Sequence, residues 1–397
     1  MNFAKIERSG ALAAMMLAML CADTAVALSL ATPAPAPGAK VRARDLGIPF
    51  DGTPGPLNAI TDVAGVTVGQ TTLNGGDVHT GVTAILPRGA ASQKDPVFAG
   101  WFSQNGNGEM TGTTWVEESG FLAGPVMITN THSVGTVRDA VIKWHVARGD
   151  MDPEGDAWSL PIVAETWDGW LNAINGFHVT PQNTIDALNN AHGGPVTEGN
   201  VGGGTGMICN GYKGGIGTSS RHLSAKEGGY TVGVLVQCNF GVRPNLRIAG
   251  IPVGREIPAP EPYVYMPSDL GEHGSIIVVV ATDAPLLAHQ LKRVARRVTL
   301  ALGRAGSISG DSSGDIFIAF STANPGAGVA EKAVAVQMMP NGAMNPIFQA
   351  TVEATEEAID NALIAAEDMT GMHGRKVIAL PHAALQAVLR KYNRLVQ

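Results

Sequence analysis

Two apolar runs in the last third of the chain, Ser275–Ala281 (SIIVVVA) and Asp315–Ser321 (DIFIAFS), predict β-strands, the first by its β-branched content. Between them, apolar residues recur at helical spacing, at Leu287, Leu291, Val294, Val298 and Leu302. This periodicity predicts an amphipathic helix that has Asp283 as its N-cap and ends at Gly303. A chain with this order of elements packs a helix against a sheet.

The first half of the chain consists mainly of short β-rich runs separated by clusters of Gly, Asn and Asp, as turns require. These runs are Gly65–Leu73, Gly81–Leu86, Pro96–Phe102, Pro125–Asn130 and, after a glycine-rich centre, Tyr230–Gln237. Further helices are predicted at Val134–Ala147, about Val352–Met369 and Ala383–Leu395. Because strands and helices fall in separate groups, we predict a layered α/β (α+β) sandwich rather than an alternating parallel fold.

Charge and composition argue against two classes of protein. The net charge of −7 disfavours a nucleic-acid partner, which needs a basic face. Fifty glycines and 24 prolines imply many turns, yet 45% of the 397 residues are hydrophobic and the glycines are interspersed among them. Such a chain buries a core rather than remaining disordered.

The N-terminus has the pattern of an export signal. Lys5 and Arg8 form a basic start, Ala11–Leu20 is a short apolar core, and Ala25–Ala27 offers a small-x-small cleavage site. We predict a signal peptide over residues 1–27, a Pro/Ala-rich spacer over residues 28–41, and a periplasmic or secreted mature protein. The apolar core is too short to span a bilayer comfortably, and no other segment is apolar enough for a membrane span.

Two cysteines, Cys209 and Cys238, remain after such processing. In an oxidising compartment they could form a disulfide, and two buried free thiols are an equal alternative. Neither alternative assigns them a catalytic role.

Several motifs invite interpretations that their context does not support. Gly310–Gly314 (GDSSG) matches G-x-S-x-G around Ser312, but a nucleophile elbow needs a strand before it and a helix after it, and here the predicted order is reversed. The stretch Gly202–Met207 lacks the P-loop spacing, so we interpret it as a packing loop. HExxH is absent and the ten histidines are scattered, so we expect no metal and no other cofactor.

Gly274 and Ser275 precede the first apolar run, and two interpretations of Ser275 are open. On composition it is an ordinary loop-to-strand residue. Alternatively, cleavage of the Gly274–Ser275 bond would give Ser275 a free α-amino group, whose ordinary pKa of about 7.7–8 suits a base near neutral pH. Such a base would activate the serine hydroxyl as a nucleophile. Gly274 suits the cut because glycine tolerates a strained backbone.

Long motifs occur in order along nearly the whole mature chain. They are RARDLGIPFDGTPGPLN (42–58), NGNGEMTG, SGFLAGPVMITNTHSVG, PIVAETWDGWLN, NVGGGTGMICNGYKGGIGTSSR, VGVLVQCNFG, GSIIVVVATDAPL and SSGDIFIAFSTANP. Together they resemble the DmpA/BapA-type serine aminopeptidases, which comprise L-aminopeptidase/D-Ala-esterase/amidases and β-peptidyl aminopeptidases.

The resemblance implies a four-layer αββα sandwich, similar to the N-terminal-nucleophile hydrolases but with different connectivity. It also implies a proenzyme that cuts itself before the nucleophilic serine. On this chain the cut falls between Gly274 and Ser275 and yields an N-terminal α chain, residues 42–274, and a C-terminal β chain, residues 275–397. The two chains are expected to stay together and to assemble as a homo-oligomer.

The resemblance further implies catalytic roles for four residues. Ser275 matches the nucleophile, and Asn239, in VQCNFG, matches an amide that stabilises the oxyanion. Ser313 and Asp315, in SSGDIF, match a hydroxyl and a carboxylate that order the proton network of the site. Some relatives have a glutamate where this chain has Asp315, so the exact role of this acid is an open point. Without the resemblance, Asn239, Ser313 and Asp315 are ordinary turn and strand-end residues.

The segment AETWDG matches the substrate-binding part of the family. Glu165 matches the acid that receives the free ammonium group of the substrate and so selects unblocked N-termini. Trp167 stands where some relatives carry tyrosine, which reshapes the pocket and affects substrate choice. Without the resemblance, Glu165 is a solvated acid beside an aromatic residue. The TNTHSVG segment, which contains His132, is expected to form a wall of the same pocket.

We therefore predict a self-processing serine aminopeptidase that releases N-terminal residues, β-amino acids first among them, from short peptides and amides such as β-alanyl peptides and β-peptides. The export signal favours the β-peptidyl branch, and L-aminopeptidase/D-Ala-esterase/amidase specificity stays open. One rival is an acyltransferase resembling the ornithine acetyltransferases, which cut before a threonine rather than a serine. The other is a non-catalytic periplasmic binding protein on the same scaffold, which would keep a single intact chain.

Overall fold

The computed structural model describes residues 40–257, apart from residues 153 and 157, and residues 273–396. In chain order, the strands of this part of the chain are β1 (Thr67–Gly75), β2 (Val78–Ala90), β3 (Val97–Ser103), β4 (Phe121–Leu122), β5 (Val126–Asn130), β6 (Ile162–Thr166), β7 (Ile208–Cys209), β8 (Tyr212–Lys213), β9 (Gly215–His222), β10 (Thr231–Asn239), β11 (His273–Thr282), β12 (Ser312–Ser321), β13 (Met369–Thr370) and β14 (Lys376–Val377). The α-helices are α1 (Thr113–Ser119), α2 (Val134–Ala147), α3 (Pro181–Asn189), α4 (Val253–Glu256), α5 (Ala288–Ala305), α6 (Asn345–Ile364) and α7 (His382–Lys391).

Two large sheets form the centre of the molecule. One has four strands in the order β1-β2-β5-β6, and the other has six in the order β4-β3-β12-β11-β10-β9. Strand β11 lies inside the larger sheet, parallel to β12 and antiparallel to β10. The backbone groups of β11 are therefore paired on both sides, which holds the start of this strand rigidly between its neighbours.

The two sheets are stacked and each carries helices on its outer face. Helices α2 and α3 pack on the four-stranded sheet, and α5 and α6 pack on the six-stranded sheet. One buried apolar cluster fills the space between the sheets, and a second and a third lie between each sheet and its helices. The predicted αββα sandwich is confirmed, because each amphipathic element buries its apolar face against the next layer.

The alternation of side chains along β11 decides which layer Ser275 faces. Ile276 and Val278 belong to the cluster under the helices, whereas Ile277 and Val279 belong to the cluster between the sheets. Since successive side chains of a strand point to opposite faces, Ser275 points into the layer between the two sheets. The hydroxyl therefore lies at the edge of the apolar layer that joins them.

The predicted start of α5 is wrong. The helix begins at Ala288, and Leu287 rather than Asp283 is its N-cap. The Asp283 carboxylate instead accepts a hydrogen bond from the Thr231 N–H at 2.8 Å, which connects the end of β11 to the start of β10. A long-range contact has replaced the local cap that the sequence pattern favoured.

The other predicted elements are present, with a shift at α6, whereas β6, α3 and β9 were not predicted. Helix α2 has the predicted bounds, whereas α6 spans Asn345–Ile364 instead of Val352–Met369. A proline in the first turn of α6 accounts for its earlier start, since proline is favoured there. None of the described helices is long and apolar enough to cross a membrane.

Two other predictions concern the N-terminus and the cysteines. The predicted signal peptide, residues 1–27, and all but Lys40 and Val41 of the predicted spacer lie outside the described residues. Cys209 and Cys238 form a disulfide that joins β7 to β10. The structure therefore contains the disulfide rather than two free thiols.

Candidate active site

Ser275 is placed against the carbonyl group of its own peptide bond. Its Oγ donates a hydrogen bond to the Gly274 carbonyl oxygen at 2.7 Å and accepts one from the Gly314 N–H at 3.2 Å. The side chain is buried, at 4% relative exposure. These contacts hold a hydroxyl oxygen next to the one carbonyl that it would have to attack in self-cleavage.

Gly274 occupies a position that no other residue could take without strain. Its φ is +111°, in the region that L side chains rarely adopt. A Cβ built on it would lie 1.8 Å from the carbonyl oxygen of Asn239. Gly274 is thus required both by its backbone angle and by the closeness of β10.

Two main-chain groups fix the orientation of the Asn239 side-chain amide. Its Oδ1 accepts a hydrogen bond from the Ile208 N–H at 2.7 Å, and its Nδ2 donates to the Trp167 carbonyl oxygen at 2.9 Å. The opposite amide orientation would set donor against donor, so only one orientation satisfies both contacts. Asn239 pairs with Ser275 across β10 and β11, which places both side chains on the same face. Its second N–H, which has no acceptor among the described residues, is the one that an oxyanion at Ser275 could use.

Ser313 and Asp315 form a buried pair on β12. The Ser313 hydroxyl donates to Asp315 Oδ1 at 2.6 Å, and both side chains are fully buried. Gly314, not either of them, is the partner of Ser275 in the parallel register. By strand alternation the two side chains therefore point to the face opposite the Ser275 hydroxyl.

Glu165 lies at the end of β6, buried to 3% relative exposure. Its carboxylate accepts hydrogen bonds from the Glu109 N–H at 3.0 Å and from the Thr131 hydroxyl. A Cβ on Gly108 would lie 3.3 Å from Glu165 Oε1 and 3.1 Å from the Gly314 Cα, so only a glycine separates the acid from the strand beside Ser275. Burial raises the pKa of Glu165 above its ordinary value of 4.5, and the two hydrogen bonds oppose that rise.

Trp167 follows Glu165 and is half exposed, at 39%. Its ring lines a cavity of ≈ 620 Å³. We call this cavity the Trp167 pocket, and its lining includes His132, Trp167, Trp170, Ile174, Met372 and Arg375. The volume lies in the range typical of small-ligand sites. His132, from the TNTHSVG motif, is part of this lining.

Known proteins are similar to this chain in sequence and in fold. The profile of peptidase family S58 matches residues 58–377. The chain belongs to peptidase family S58. It is 53% identical to the β-peptidyl aminopeptidase BapA of Sphingosinicella microcystinivorans over 89% of this chain and 93% of that one. It is 46% identical to the BapA of Sphingosinicella xenopeptidilytica over 96% of each chain.

A solved structure is also similar to this S58 peptidase. It is the L-aminopeptidase D-Ala-esterase/amidase of Ochrobactrum anthropi, described as a variant of the Ntn hydrolase fold, with a TM-score of 0.82 and 48% identity. The match covers 89% of this chain and 99% of that one. These findings confirm the resemblance to the DmpA/BapA-type enzymes, the fold and the prediction of a serine aminopeptidase. The roles of individual residues stay predictions.

The structure brings the predicted site residues of this S58 peptidase to one end of β11. Ser275, Asn239 and the Gly314 N–H share one face, Ser313 and Asp315 lie behind them, and Glu165 and Trp167 approach from the other sheet. Sequence reasoning missed the groups that hold these residues. The Thr131 hydroxyl and the Glu109 N–H, which bind Glu165, belong to segments whose general pattern gave no residue-level signal.

Two buried side chains that sequence reasoning passed over connect the site to the fold. Gln237 Nε2 donates to the Thr129 carbonyl oxygen at 3.1 Å and to the Thr166 hydroxyl at 2.9 Å, which joins β10 to the ends of β5 and β6. Lys213 Nζ donates to the Met207 and Gly214 carbonyl oxygens at 2.8 Å each, just before the Ile208 N–H that binds Asn239. Burial lowers the pKa of Lys213 to about 7. A polar residue inside the apolar run VLVQCN was the available signal for Gln237.

Asp168 supports the segment that follows Trp167. It is buried, and its Oδ1 accepts a hydrogen bond from Asn172 Nδ2 at 3.0 Å, while its carbonyl oxygen accepts the Leu171 and Asn172 N–H groups. Burial raises the pKa of Asp168 to about 6. This turn carries Trp170, so Asp168 shapes one side of the Trp167 pocket.

The motifs interpreted as structural keep that interpretation. Ser312 begins β12, with α5 before it, so the G-x-S-x-G stretch has the reverse of the order that a nucleophile elbow needs. Gly202–Gly204 forms a short buried turn against β2. Among the described residues, no group of three or more His, Cys, Asp or Glu side chains is arranged to hold a metal ion.

Replacing Gly274 with alanine is expected to destabilise the protein by at least about 2 kcal/mol, because a left-handed backbone angle and a Cβ clash would both have to be relieved. The measurement is urea unfolding in a Ser275→Ala background, where no cut complicates the comparison. Gly303→Ala is the matched control: Gly303 lies in α5 with nothing within 4 Å of the position that a Cβ would take, so alanine should stabilise by about 0.5–1 kcal/mol. Equal stability of the Gly274→Ala variant and its background would contradict the backbone argument.

Proposed function

We propose that this S58 peptidase is a β-peptidyl aminopeptidase that activates itself by cutting the Gly274–Ser275 bond. The observation that carries the proposal is the Ser275 hydroxyl held 2.7 Å from the Gly274 carbonyl oxygen, with Asn239 on the same face. The two relatives named β-peptidyl aminopeptidase, at 53% and 46% identity over most of the chain, support the substrate class.

Self-cleavage begins with attack of Ser275 Oγ on the Gly274 carbonyl carbon. The C–N bond breaks and a C–O bond forms, so the acyl group moves from nitrogen to oxygen and the nitrogen takes up the proton. Water then hydrolyses the ester, leaving a carboxylate on Gly274 and a free α-amino group on Ser275. Gly274 favours the attack because it has no side chain beside the carbonyl carbon and adopts the required backbone angle.

Peptide hydrolysis uses the amino group that the cut creates. The α-amine of Ser275 accepts the Oγ proton while Oγ attacks the first carbonyl of the substrate, and the amide of Asn239 stabilises the oxyanion. The proton passes to the leaving amine, and water hydrolyses the acyl-enzyme. Ser313 and Asp315 lie on the face away from Oγ, so their action is on the α-amine, whose charge and position the buried carboxylate would influence.

Glu165 selects the substrate by binding its N-terminal ammonium group. A buried carboxylate separated by one glycine from Gly314, the partner of Ser275 on the neighbouring strand β12, suits a short acyl residue, such as β-alanine, whose ammonium group lies two methylene groups from the carbonyl carbon. The L-aminopeptidase/D-Ala-amidase specificity is the second candidate. The 48% identity to the Ochrobactrum anthropi enzyme, close to that of the two BapA relatives, favours keeping it in the test.

The compartment and assembly are part of the same proposal. We place the mature enzyme in the periplasm or outside the cell on the basis of the residue 1–27 pattern, and the two processed chains, 42–274 and 275–397, would remain together. The pairing of β10 with β11 and of β3 with β12 supports this, since each pair joins a strand of residues 42–274 to a strand of residues 275–397. A homo-oligomer is expected from the family resemblance.

The test of function is Glu165→Gln measured with β-alanyl-histidine. We expect the wild type to release β-alanine from the free peptide and to leave the N-acetylated peptide intact. Glu165→Gln should lower kcat/KM by about 10–100-fold, which corresponds to the free energy of a hydrogen bond to a charged group. In the wild type, kcat/KM should rise with pH through the raised pKa of Glu165, because only the ionised acid binds an ammonium group; the Gln variant should lack this step.

Glu109→Gln is the matched control for Glu165→Gln. Glu109 donates its N–H to Glu165, and its exposed carboxylate acts on Glu165 by charge repulsion, which water screens, so this variant should keep activity within about threefold. L-Alanyl and D-alanyl amides measured in parallel distinguish the two specificities. Failure to cleave any unblocked substrate would refute the proposed function.

A further inference from the structure

Ser275 lies between strands β10 and β12, and Trp167 is on the β10 side. In the six-stranded sheet, Gly314 on β12 and Asn239 on β10 flank Ser275. The Glu165 carboxylate lies beside Gly108, which packs against Gly314, on the β12 side. The Trp167 carbonyl oxygen is bound by Asn239, on the β10 side. A substrate whose ammonium group is at Glu165 would therefore extend its leaving part toward the Trp167 pocket.

The Trp167 pocket is lined by two segments, one that contains Trp167 and Trp170 and one that contains Met372 and Arg375. Trp170 in its lining packs against the small apolar cluster that also receives Ile208, the residue whose N–H binds Asn239. Met372 and Arg375 complete the far end of the lining. Trp167 links the two regions, because its carbonyl oxygen is bound by Asn239 and it lines the same cavity as Arg375.

Arg375 lines this cavity, and its guanidinium is held by Trp170, which lines it as well. Its guanidinium carbon lies 4.3 Å from the centre of the Trp170 ring, and Nη1 donates to the Trp170 carbonyl oxygen at 3.2 Å. The side chain is half-buried. Among the described residues it has no carboxylate partner, whereas its neighbour Lys376 pairs with Asp368 at 3.4 Å.

The charge of the lining favours an anion. No Asp or Glu belongs to the lining among the residues that the structure describes, and Arg375 carries its one permanent charge. A guanidinium stacked on an indole ring is partly desolvated, and its remaining N–H groups form a fork that matches a carboxylate. One N–H donates to the Trp170 carbonyl oxygen, which orients the guanidinium and leaves its other N–H groups available for a ligand.

We propose that Arg375 binds the C-terminal carboxylate of the leaving peptide, so that the enzyme prefers short peptides with a free C-terminus over the corresponding amides. The inference rests on the proposed function, because it requires that Glu165 hold the N-terminus. It makes the Trp167 pocket a site with an anion-binding end, and it limits the peptide to the few residues that fit between Ser275 and Arg375.

The experiment compares each substrate with its C-terminal amide. The substrates are β-alanyl-histidine and β-alanyl-histidyl-glycine, each as the free acid and as the amide. For the wild type we expect a lower KM for the free acid than for the amide, at the peptide length whose C-terminus reaches Arg375. Arg375→Gln should raise that KM about tenfold or more, leave kcat nearly unchanged, and change the kinetics of the amide by less than about twofold.

Two further variants keep the test decisive. Arg375→Lys retains the charge and loses the fork, so it should recover part of the preference for the acid. Lys376→Gln removes a neighbouring charge outside the lining and should leave the acid-to-amide ratio unchanged. Equal losses on acid and amide in Arg375→Gln, or no change on either, would overturn the carboxylate role. A wild type that cleaves all four substrates without preferring acids would overturn it while leaving the proposed function standing, and one that cleaves none would overturn both.

Discussion

Ser275→Ala is expected to yield an intact chain and to lower aminopeptidase activity by at least about 10⁴-fold, the scale seen when a serine nucleophile is removed from a hydrolase. The loss has two causes. The variant lacks the Oγ that would attack the Gly274 carbonyl carbon, so the α-amine at residue 275 is not released. It also lacks the nucleophile for the substrate. Mass spectrometry of the purified protein measures the first effect, and β-alanine release measures the second.

Ser312→Ala is the control for the nucleophile. Ser312 is the central serine of the G-x-S-x-G stretch, which the order of α5 and β12 excludes as a nucleophile elbow, so its variant should be cut and should keep activity within about threefold. The wild type should show a fragment that begins at Ser275. A cut before residue 275 that persists in Ser275→Ala, or a wild-type chain that stays whole, would refute the self-processing mechanism.

Asn239→Ala is expected to lower kcat by about 10²–10³-fold with little change in KM, because a donor that acts on the oxyanion stabilises the transition state more than the bound substrate. The cut at Ser275 should slow as well, since Asn239 pairs with Ser275 across the two strands and lies on the same face. The measurement is steady-state kinetics on processed protein, with the rate of fragment formation followed by mass spectrometry.

Asn239→Asp separates hydrogen-bond donation from packing. Aspartate has the same size and can still accept the Ile208 N–H, but it cannot donate to the Trp167 carbonyl or to an oxyanion. We expect activity as low as in Asn239→Ala. Full activity in either variant would show that the oxyanion is stabilised by main-chain N–H groups alone.

The local elements were predictable wherever the pattern depends on short-range chemistry. The β-branched run after Ser275 and the periodicity of α2 specify a strand and a helix with little help from the rest of the chain. The start of α5 was not predictable, because the Asp283 carboxylate pairs with Thr231 on a neighbouring strand. An aspartate at this position can cap a helix, but the sequence pattern cannot show that its carboxylate binds a distant backbone N–H instead.

In the candidate site, too, some features were predictable from the sequence and others depend on tertiary structure. Resemblance in long motifs marked Ser275, Asn239 and Glu165, but it did not show that Ser313 and Asp315 face away from the Ser275 hydroxyl. That follows from the parallel register, in which Gly314 is the partner of Ser275. A shift of one residue in the pairing would have turned the pair to the other face.

The amino-acid sequence by itself determined the family and the layered fold, because motif order and side-chain periodicity are properties of the linear chain. It also marked the Gly274–Ser275 bond as the predicted cut. Only the tertiary structure decided which atoms meet. The Asn239 amide bound to the Trp167 carbonyl, the Glu165 carboxylate beside Gly108, and Arg375 stacked on Trp170 each join segments far apart in sequence. Such contacts depend on strand register and on the packing of one sheet against the other, which no local pattern encodes.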